Sequence, residues 1–198
     1  MQLVFASNNI NKLEQVKLLL DNDKVLMPKD VGIEGFDVVE DGKTLKENAF
    51  KKANELYKLT KTKVFSDDTG LFVKALHNRP GIYAHRYAGE DATDKDNRDK
   101  LLSELKDKNN RDAYFLTVIC FIDDDGKDYY FEGRLDGKIS ENELGDGGFG
   151  YDKLFYVEKY GKSLAQMDIN FKNQISHRGL AMKEFKKYLE QRYENSNN

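Results

Sequence analysis

The spacing of apolar positions changes several times along this chain, and each change predicts an element. Leu3 to Ala6 reads as a short strand, followed by a polar turn, Ser7-Asn8-Asn9-Ile10-Asn11-Lys12. Leu13, Val16 and Leu19 or Leu20 then recur at helical spacing until Asp21-Asn22-Asp23 breaks the pattern. Thr44 opens a second predicted helix with a capping box to Glu47, and Leu45, Ala49, Ala53, Leu56 and Leu59 form its apolar stripe. Val64 to Val73 is apolar enough for a buried strand, yet it carries Ser66, Asp67, Asp68 and Thr69 in its middle. Pro80 and Gly81 mark a loop, and Thr93 caps a third helix that buries Leu101, Leu102 and Leu105. Ala113 to Ile122 reads as a central strand, turned at Asp125-Gly126 through a tight hairpin into Asp128 to Gly133. A last apolar strand, Leu154 to Val157, precedes a loop and a C-terminal helix starting near Ser176, with Leu180, Glu184, Phe185, Tyr188 and Leu189 placing its inner face. The tail, residues 194–198, is expected to fray. This order predicts an α/β fold with a mixed central β-sheet flanked by helices.

Composition narrows the class. The 198 residues are 39% hydrophobic, enough for one sizeable core, so one domain or two lobes sharing a sheet is expected. The net charge of -3 argues against a surface built for a nucleic-acid polymer or an anionic membrane. The five-residue apolar start is too short for a signal-peptide core and nothing later approaches a membrane span, so a cytoplasmic protein is expected. Cys120, the one cysteine, lies in an apolar run and reads as a buried small hydrophobe rather than a nucleophile.

Three motifs fail on context. Gly145, Gly147 and Gly150 match the dinucleotide fingerprint, but that fingerprint seats pyrophosphate on a following helix and here a strand follows. Asp123-Asp124-Asp125-Gly126 has the composition of a calcium loop without its register, and reads as a hairpin turn. His77 and His85 have no metal-ligand spacing.

Four stretches place polar groups where folding alone would not. Lys12 falls near a helix N-terminus, which the helix dipole disfavours unless an anion sits there. His177 and Arg178 open the last helix with the same wrong sign for the dipole and the right sign for phosphate. Gly147 to Asp152 combines glycines, which permit close backbone approach, with Phe149 and Tyr151, either of which offers a stacking face for a base. Asp67 and Asp68 sit in a strand whose side chains alternate, so they cannot both face one core; if the strand ends near them, one can face a cleft. A buried lone carboxylate costs several kcal/mol unless paired or metal-bound, so a divalent cation site is the economical reading.

Together, Ser7-x-Asn9-x-x-Lys12, Ser66-Asp67-Asp68-Thr69-Gly70-Leu71, Pro80 to Thr93, Gly147 to Asp152 and Ser176-His177-Arg178-Gly179 resemble, in order and spacing, the inosine triphosphate pyrophosphatase family. The resemblance runs from Phe5 to Gly179. It implies two lobes with the active-site cleft between them, and one nucleotide pyrophosphatase domain over residues 1–198. It further implies hydrolysis of inosine, deoxyinosine and xanthosine triphosphates (ITP, dITP, XTP) to the monophosphate and pyrophosphate, with Mg2+, by a homodimer.

Carried over by position, Asp68 is the catalytic carboxylate and a metal ligand, Glu40 the second metal ligand with Asp41 as rival, and Asp67 a supporting acid. Lys12, Lys52, Lys172 and Arg178 match phosphate or substrate positions; Ser7, Asn8, Asn9 and Thr69 supply short polar contacts. Phe149 stacks on the base, Gly150, Tyr151 and Asp152 line its pocket, and His177 and Arg178 supply donors to the 6-oxo edge, where adenine has an amino donor instead. Two positions depart from the pattern: Lys153 where proline is frequent, and Asn8 where glycine is common. The resemblance leaves two rival readings, a pyrophosphatase for modified pyrimidine triphosphates and a nucleotide-binding module without catalysis.

Overall fold

The computed structural model describes residues 1–194. The strands are β1 (Gln2–Phe5), β2 (Lys24–Leu26), β3 (Val64–Val73), β4 (Arg79–Gly81), β5 (Asp112–Ile122), β6 (Asp128–Ile139), β7 (Phe155–Val157) and β8 (Lys162–Ser163). The α-helices are α1 (Ile10–Leu19), α2 (Leu45–Thr60), α3 (Asp94–Glu104), α4 (Ile169–Ile175) and α5 (His177–Leu189). The strand order is β2-β1-β3-β5-β6-β7-β8, with β4 on β3. β1 pairs parallel with β2 and β3, whereas β3–β4, β6–β7 and β7–β8 are antiparallel, so the sheet is mixed as the element order predicts.

The chain divides into two compact units. Of the described residues, 1–68, 117–133 and 177–194 form the first. Its strands are buried on both faces, and their alternation assigns side chains to helices. Leu3, Phe5, Phe65 and Phe121 pack with Leu13 and Val16 of α1 and Met182 and Phe185 of α5, the Phe5 and Phe65 rings stacking at 4.8 Å. Val4, Ala6, Val64 and Cys120 pack with Ala49, Ala53 and Leu56 of α2 on the other side. Residues 69–116 and 134–176 form the second unit. Its core gathers Leu71, Val73, Leu101, Leu105, Phe115, Tyr151, Leu154 and Phe155.

Local chemistry sets the element ends. Asn9 caps α1 by accepting from the Lys12 N–H. Thr93 and Asp96 close a capping box on α3. At α2, Thr44 accepts from the Glu47 N–H, but the Glu47 carboxylate reaches the Lys43 N–H instead of returning to Thr44, so the expected box does not close. Leu59 is exposed, and Asn48 and Lys52 share the buried face with Leu45 to Leu56. The Asp125-Gly126 hairpin forms, with Gly126 at φ 77, and β6 runs on to Ile139, past the expected end. Asp123 and Asp124 in that turn pair with Lys63. Cys120 is fully buried, and burial pushes its thiol up to about 12. β4, β8 and α4 fall in stretches read as loop, and β2 in a stretch for which no element is predicted; the three strands are two or three residues long. Expected fraying of the tail concerns residues outside those described, apart from Glu194, which ends a π-helical turn, Glu190–Glu194. Among the described residues no helix is long and apolar enough to cross a membrane.

Candidate active site

The strand β3 does not end at its aspartates; it continues to Val73, and both acids are buried, Asp67 at 1% and Asp68 at 6% exposure. Strand alternation sends them to opposite faces. Val64, Ser66 and Asp68 point toward α2, where the Ser66 hydroxyl donates to the Ala49 carbonyl and Lys52 Nζ meets Asp68 Oδ1 at 3.1 Å. Phe65 and Asp67 point the other way, toward α1 and α5. There Lys12 Nζ lies 3.0 Å from Asp67 Oδ1 and Arg178 Nε 2.8 Å from Asp67 Oδ2. The anion demanded by cations at two helix N-termini is thus a carboxylate of the protein itself.

The cations come from three helices. Lys52 also donates to the Asp67 carbonyl at 2.8 Å and lies 3.3 Å from Glu40. Gln15, one turn after Lys12 on α1 and buried, accepts from Arg178 Nη1 at 2.9 Å. Sequence reasoning missed Gln15; the signal available was a polar residue wedged between Leu13 and Val16 on a buried helical face. Of the two rivals, Glu40 turns inward to Lys52, while Asp41 is exposed and pairs with Lys51.

Electrostatics divide the two aspartates. Burial alone would raise Asp67, but Lys12, Arg178 and Lys52 overwhelm it and hold the carboxyl far below its usual range. Burial pushes Asp68 up to about 6; Lys52 pulls it down, and the neighbouring Glu40 carboxylate adds to the rise. Burial raises Glu40 too, yet Lys52 and its contact with Asp68 leave it below its usual value. Lys12 is lowered, by burial first and by Lys52 and Arg178, against the pull of Asp67. Lys52 is raised, because Asp68, Glu40 and Asp67 outweigh its burial. Asp68 and Glu40 therefore titrate as a pair, with Asp68 raised and Glu40 lowered.

The remaining residues of this unit support the turn between β1 and α1. The Ser7 hydroxyl accepts from the Asn9 N–H at 3.1 Å. Asn8, where glycine is common, donates its amide to the Phe36 carbonyl, tying this turn to the segment that leads to Glu40. His177 is buried at the start of α5. Its carbonyl packs so closely on Gly133 of β6 that a Cβ there would come within 2.0 Å of it.

The second unit holds the other predicted residues. Lys172 of α4 and Asp152 are both buried and pair at 3.0 Å, and Lys172 Nζ stands 5.7 Å from the centre of the Phe149 ring. Asp152 also accepts from the Phe149 N–H at 3.1 Å. Tyr151 belongs to the core cluster and its hydroxyl donates to the Ala84 carbonyl at 2.7 Å. Gly150 is engaged on both sides of its backbone, its N–H by Asp94 and its carbonyl by Arg98. The stretch after the glycines forms a turn, and only Phe155–Val157 is strand.

An α/β sheet whose strand carries two buried carboxylates, faced by Lys12, Lys52 and Arg178 from three helices, defines a protein with a buried, charge-paired cluster on its central strand. The chain belongs to the Ham1 family, whose family model matches residues 3–188. It is 45% identical over 182 residues to a dITP/XTP pyrophosphatase of Flavobacterium psychrophilum, covering 91% of this chain and 95% of that one. It is 44% identical over 198 residues to a dITP/XTP pyrophosphatase of Clostridium perfringens, covering 95% and 97%. Among solved structures, the Staphylococcus aureus Ham1 protein superposes with a TM-score of 0.87 at 39% identity, covering 96% of this chain and 99% of that one. A HAM1 protein from Coxiella burnetii gives 0.88 at 34% identity over the same shares.

Proposed function

We propose that this protein hydrolyses non-standard purine nucleoside triphosphates, ITP, dITP and XTP, to the nucleoside monophosphate and pyrophosphate. The observation that carries the reading is Asp68. Its Oδ1 is paired with Lys52, while its buried Oδ2 receives no hydrogen bond. An acceptor in that state is costly unless something else is meant to sit there.

A divalent cation fits that atom. Among the described residues no cluster of three or more His, Cys, Asp or Glu forms a cage. Magnesium does not need one, since it binds through one or two carboxylates and completes its shell with waters and substrate phosphates. Glu40 and Asp68 would hold it, and when bound it would acidify a coordinated water and neutralise phosphate charge. Asp68 is the group we assign to receive the proton of the water attacking the α-phosphorus, since it is a buried carboxylate with one oxygen held by Lys52 and the other uncommitted. Lys12, Lys52 and Arg178 would balance the charge that spreads over the phosphates as pyrophosphate departs. Arg178 Nε is held by Asp67 and its Nη1 by Gln15, which fixes the guanidinium beside the buried aspartate. Ser7, Asn8, Asn9 and Thr69 complete the polar contacts.

For the base, Phe149 supplies the stacking face, and Lys172, held by Asp152, and the backbone N–H groups beside it supply donors to the 6-oxo edge. A 6-oxo purine gives these donors an acceptor, whereas adenine would leave them unpaired. We place the enzyme in the cytoplasm as a homodimer, acting on free nucleotides and not on nucleic acid or membranes; family resemblance supports this, and sedimentation would test the dimer.

The decisive assay incubates the protein with Mg2+ and a panel of triphosphates and detects pyrophosphate. Release from ITP, dITP and XTP well above that from ATP and from methylated pyrimidine triphosphates is expected. Equal release from ATP would overturn the reading.

A further inference from the structure

Glycines leave a loop few side chains to hold it in place, so the hydrogen bonds to the peptides around Phe149 bear directly on the aim of its ring. Gly148 and Gly150 both adopt positive φ, 72 and 58, and a Cβ on Gly148 would meet the Asp152 carboxylate at 2.2 Å. On one side the ring's own peptide is tied to Asp152, which accepts from the Phe149 N–H and donates its N–H to the Phe149 carbonyl. On the other side the next residue is clamped by α3. Asp94 Oδ2 accepts from the Gly150 N–H at 2.7 Å, and Arg98 Nη1 donates to the Gly150 carbonyl at 2.8 Å.

Arg98 is a costly residue to place there. It is 8% exposed, and its charge is met by Glu143 at 2.6 Å through Nε. Glu143 lies on the strand-to-loop segment that leads into the glycines, so one guanidinium spans both ends of the loop. A buried arginine with two such bonds gives a rigid, directional brace that lysine, a point charge, cannot reproduce.

We propose that Arg98 and Asp94 are positioning residues for base recognition: through Gly150 they hold the Phe149 ring at the angle at which it stacks on the purine. The inference rests on the reading that Phe149 stacks on the base. It predicts that the two residues affect ligands that have a base and spare those that do not, because the carboxylates and cations assigned to metal and phosphate belong to the other unit.

The test compares Arg98→Met, Arg98→Lys, Asp94→Ala, Phe149→Ala and the double variant Arg98→Met/Phe149→Ala. Asp94 is exposed, so Asp94→Ala keeps the test open should Arg98→Met fold poorly. Arg98→Met and Asp94→Ala should raise KM for ITP about fivefold or more, in line with loss of part of a base-stacking interaction. kcat and inhibition by inorganic tripolyphosphate should stay within about twofold, and Arg98→Lys should recover only part of the loss. In the double variant the KM effect should not exceed that of Phe149→Ala, since both act through one ring. Additive effects, or equal weakening of tripolyphosphate, would make Arg98 a general strut and overturn the proposal. A raised KM for Phe149→Ala beside wild-type constants for Arg98→Met and Asp94→Ala would also overturn it alone. Wild-type constants for Phe149→Ala would remove the stacking reading and this inference with it.

Discussion

Replacing Asp67 by asparagine tests whether the buried anion, rather than packing, holds the cationic site together. The side chain is almost wholly inaccessible, and each carboxylate oxygen is committed, Oδ1 to Lys12 and Oδ2 to Arg178. Asparagine has nearly the same shape but one acceptor, and it turns an NH2 group toward one of the two cations. Removing one partner of a buried ion pair costs about 3 to 5 kcal/mol, because the surviving charge stays buried. Here two cations survive, and Lys52 lies nearby as a third. For a chain of this length that loss lowers Tm by roughly 6 to 20 °C. Thermal denaturation by circular dichroism at pH 7.5 measures it. Adding Arg178→Met to Asp67→Asn should recover about 1 to 3 kcal/mol, since one uncompensated charge is removed. Inorganic tripolyphosphate should raise the Tm of Asp67→Asn more than that of the wild type, because it supplies the missing negative charge. The pH dependence has a definite sign. Asp67 is depressed in the folded state, so its contribution is complete above the ordinary aspartate value near 3.8 and is lost only as pH falls below it. A Tm for Asp67→Asn within about 2 °C of wild type, with no differential response to tripolyphosphate, would refute this account of the site.

Asp68→Asn should remove most pyrophosphate release while keeping the fold; turnover within threefold of wild type would exclude Asp68 from the chemistry. In metal-free protein the same variant should be the more stable one above about pH 6, by up to about 3 kcal/mol. The sign follows from a raised carboxyl: its contribution is full below 3.8 and is lost as pH rises through about 6, so the gain should vanish in denaturation series near pH 3.5. Glu40→Gln should weaken Mg2+ activation about tenfold or more, whereas Asp41→Asn, which loses only a surface pair with Lys51, should titrate with Mg2+ like the wild type. Tyr151→Phe should cost about 0.5 to 1.5 kcal/mol in urea denaturation and leave KM for ITP unchanged, separating a core hydroxyl from a pocket residue.

What could be read from the sequence follows physical range. Helices α1, α2, α3 and α5 and strands β1, β3, β5 and β6 announce themselves because their apolar period repeats over several turns or residues. β2, β4 and β8 are too short to show a period, and their pairing is decided by strands distant in sequence. Leu59 fits the period of α2 and is exposed, so periodicity gives the direction of a side chain and not whether anything covers it. Lys12, Asp67, Asp68 and Arg178 were legible because each is locally wrong: cations at helix N-termini, acids in a buried strand. The sequence could not reveal that these errors cancel one another. Asp67 and Arg178 are 111 residues apart, and only the sheet with α1 and α5 on one face brings them to 2.8 Å. Tyr151 shows the converse. An aromatic beside glycines reads equally as a stacking face or as core, and the choice is made by the Ala84 carbonyl, 67 residues away. Gln15 and Arg98 were missed for a related reason. Each is an ordinary polar residue on a helix, and its meaning lies wholly in the partner it holds, Arg178 in one case and the Gly150 peptide in the other. Charged residues placed against the local rules leave an anomaly in the sequence, and residues that hold them in position do not, so the second kind is found by following each buried hydrogen bond outward from the first.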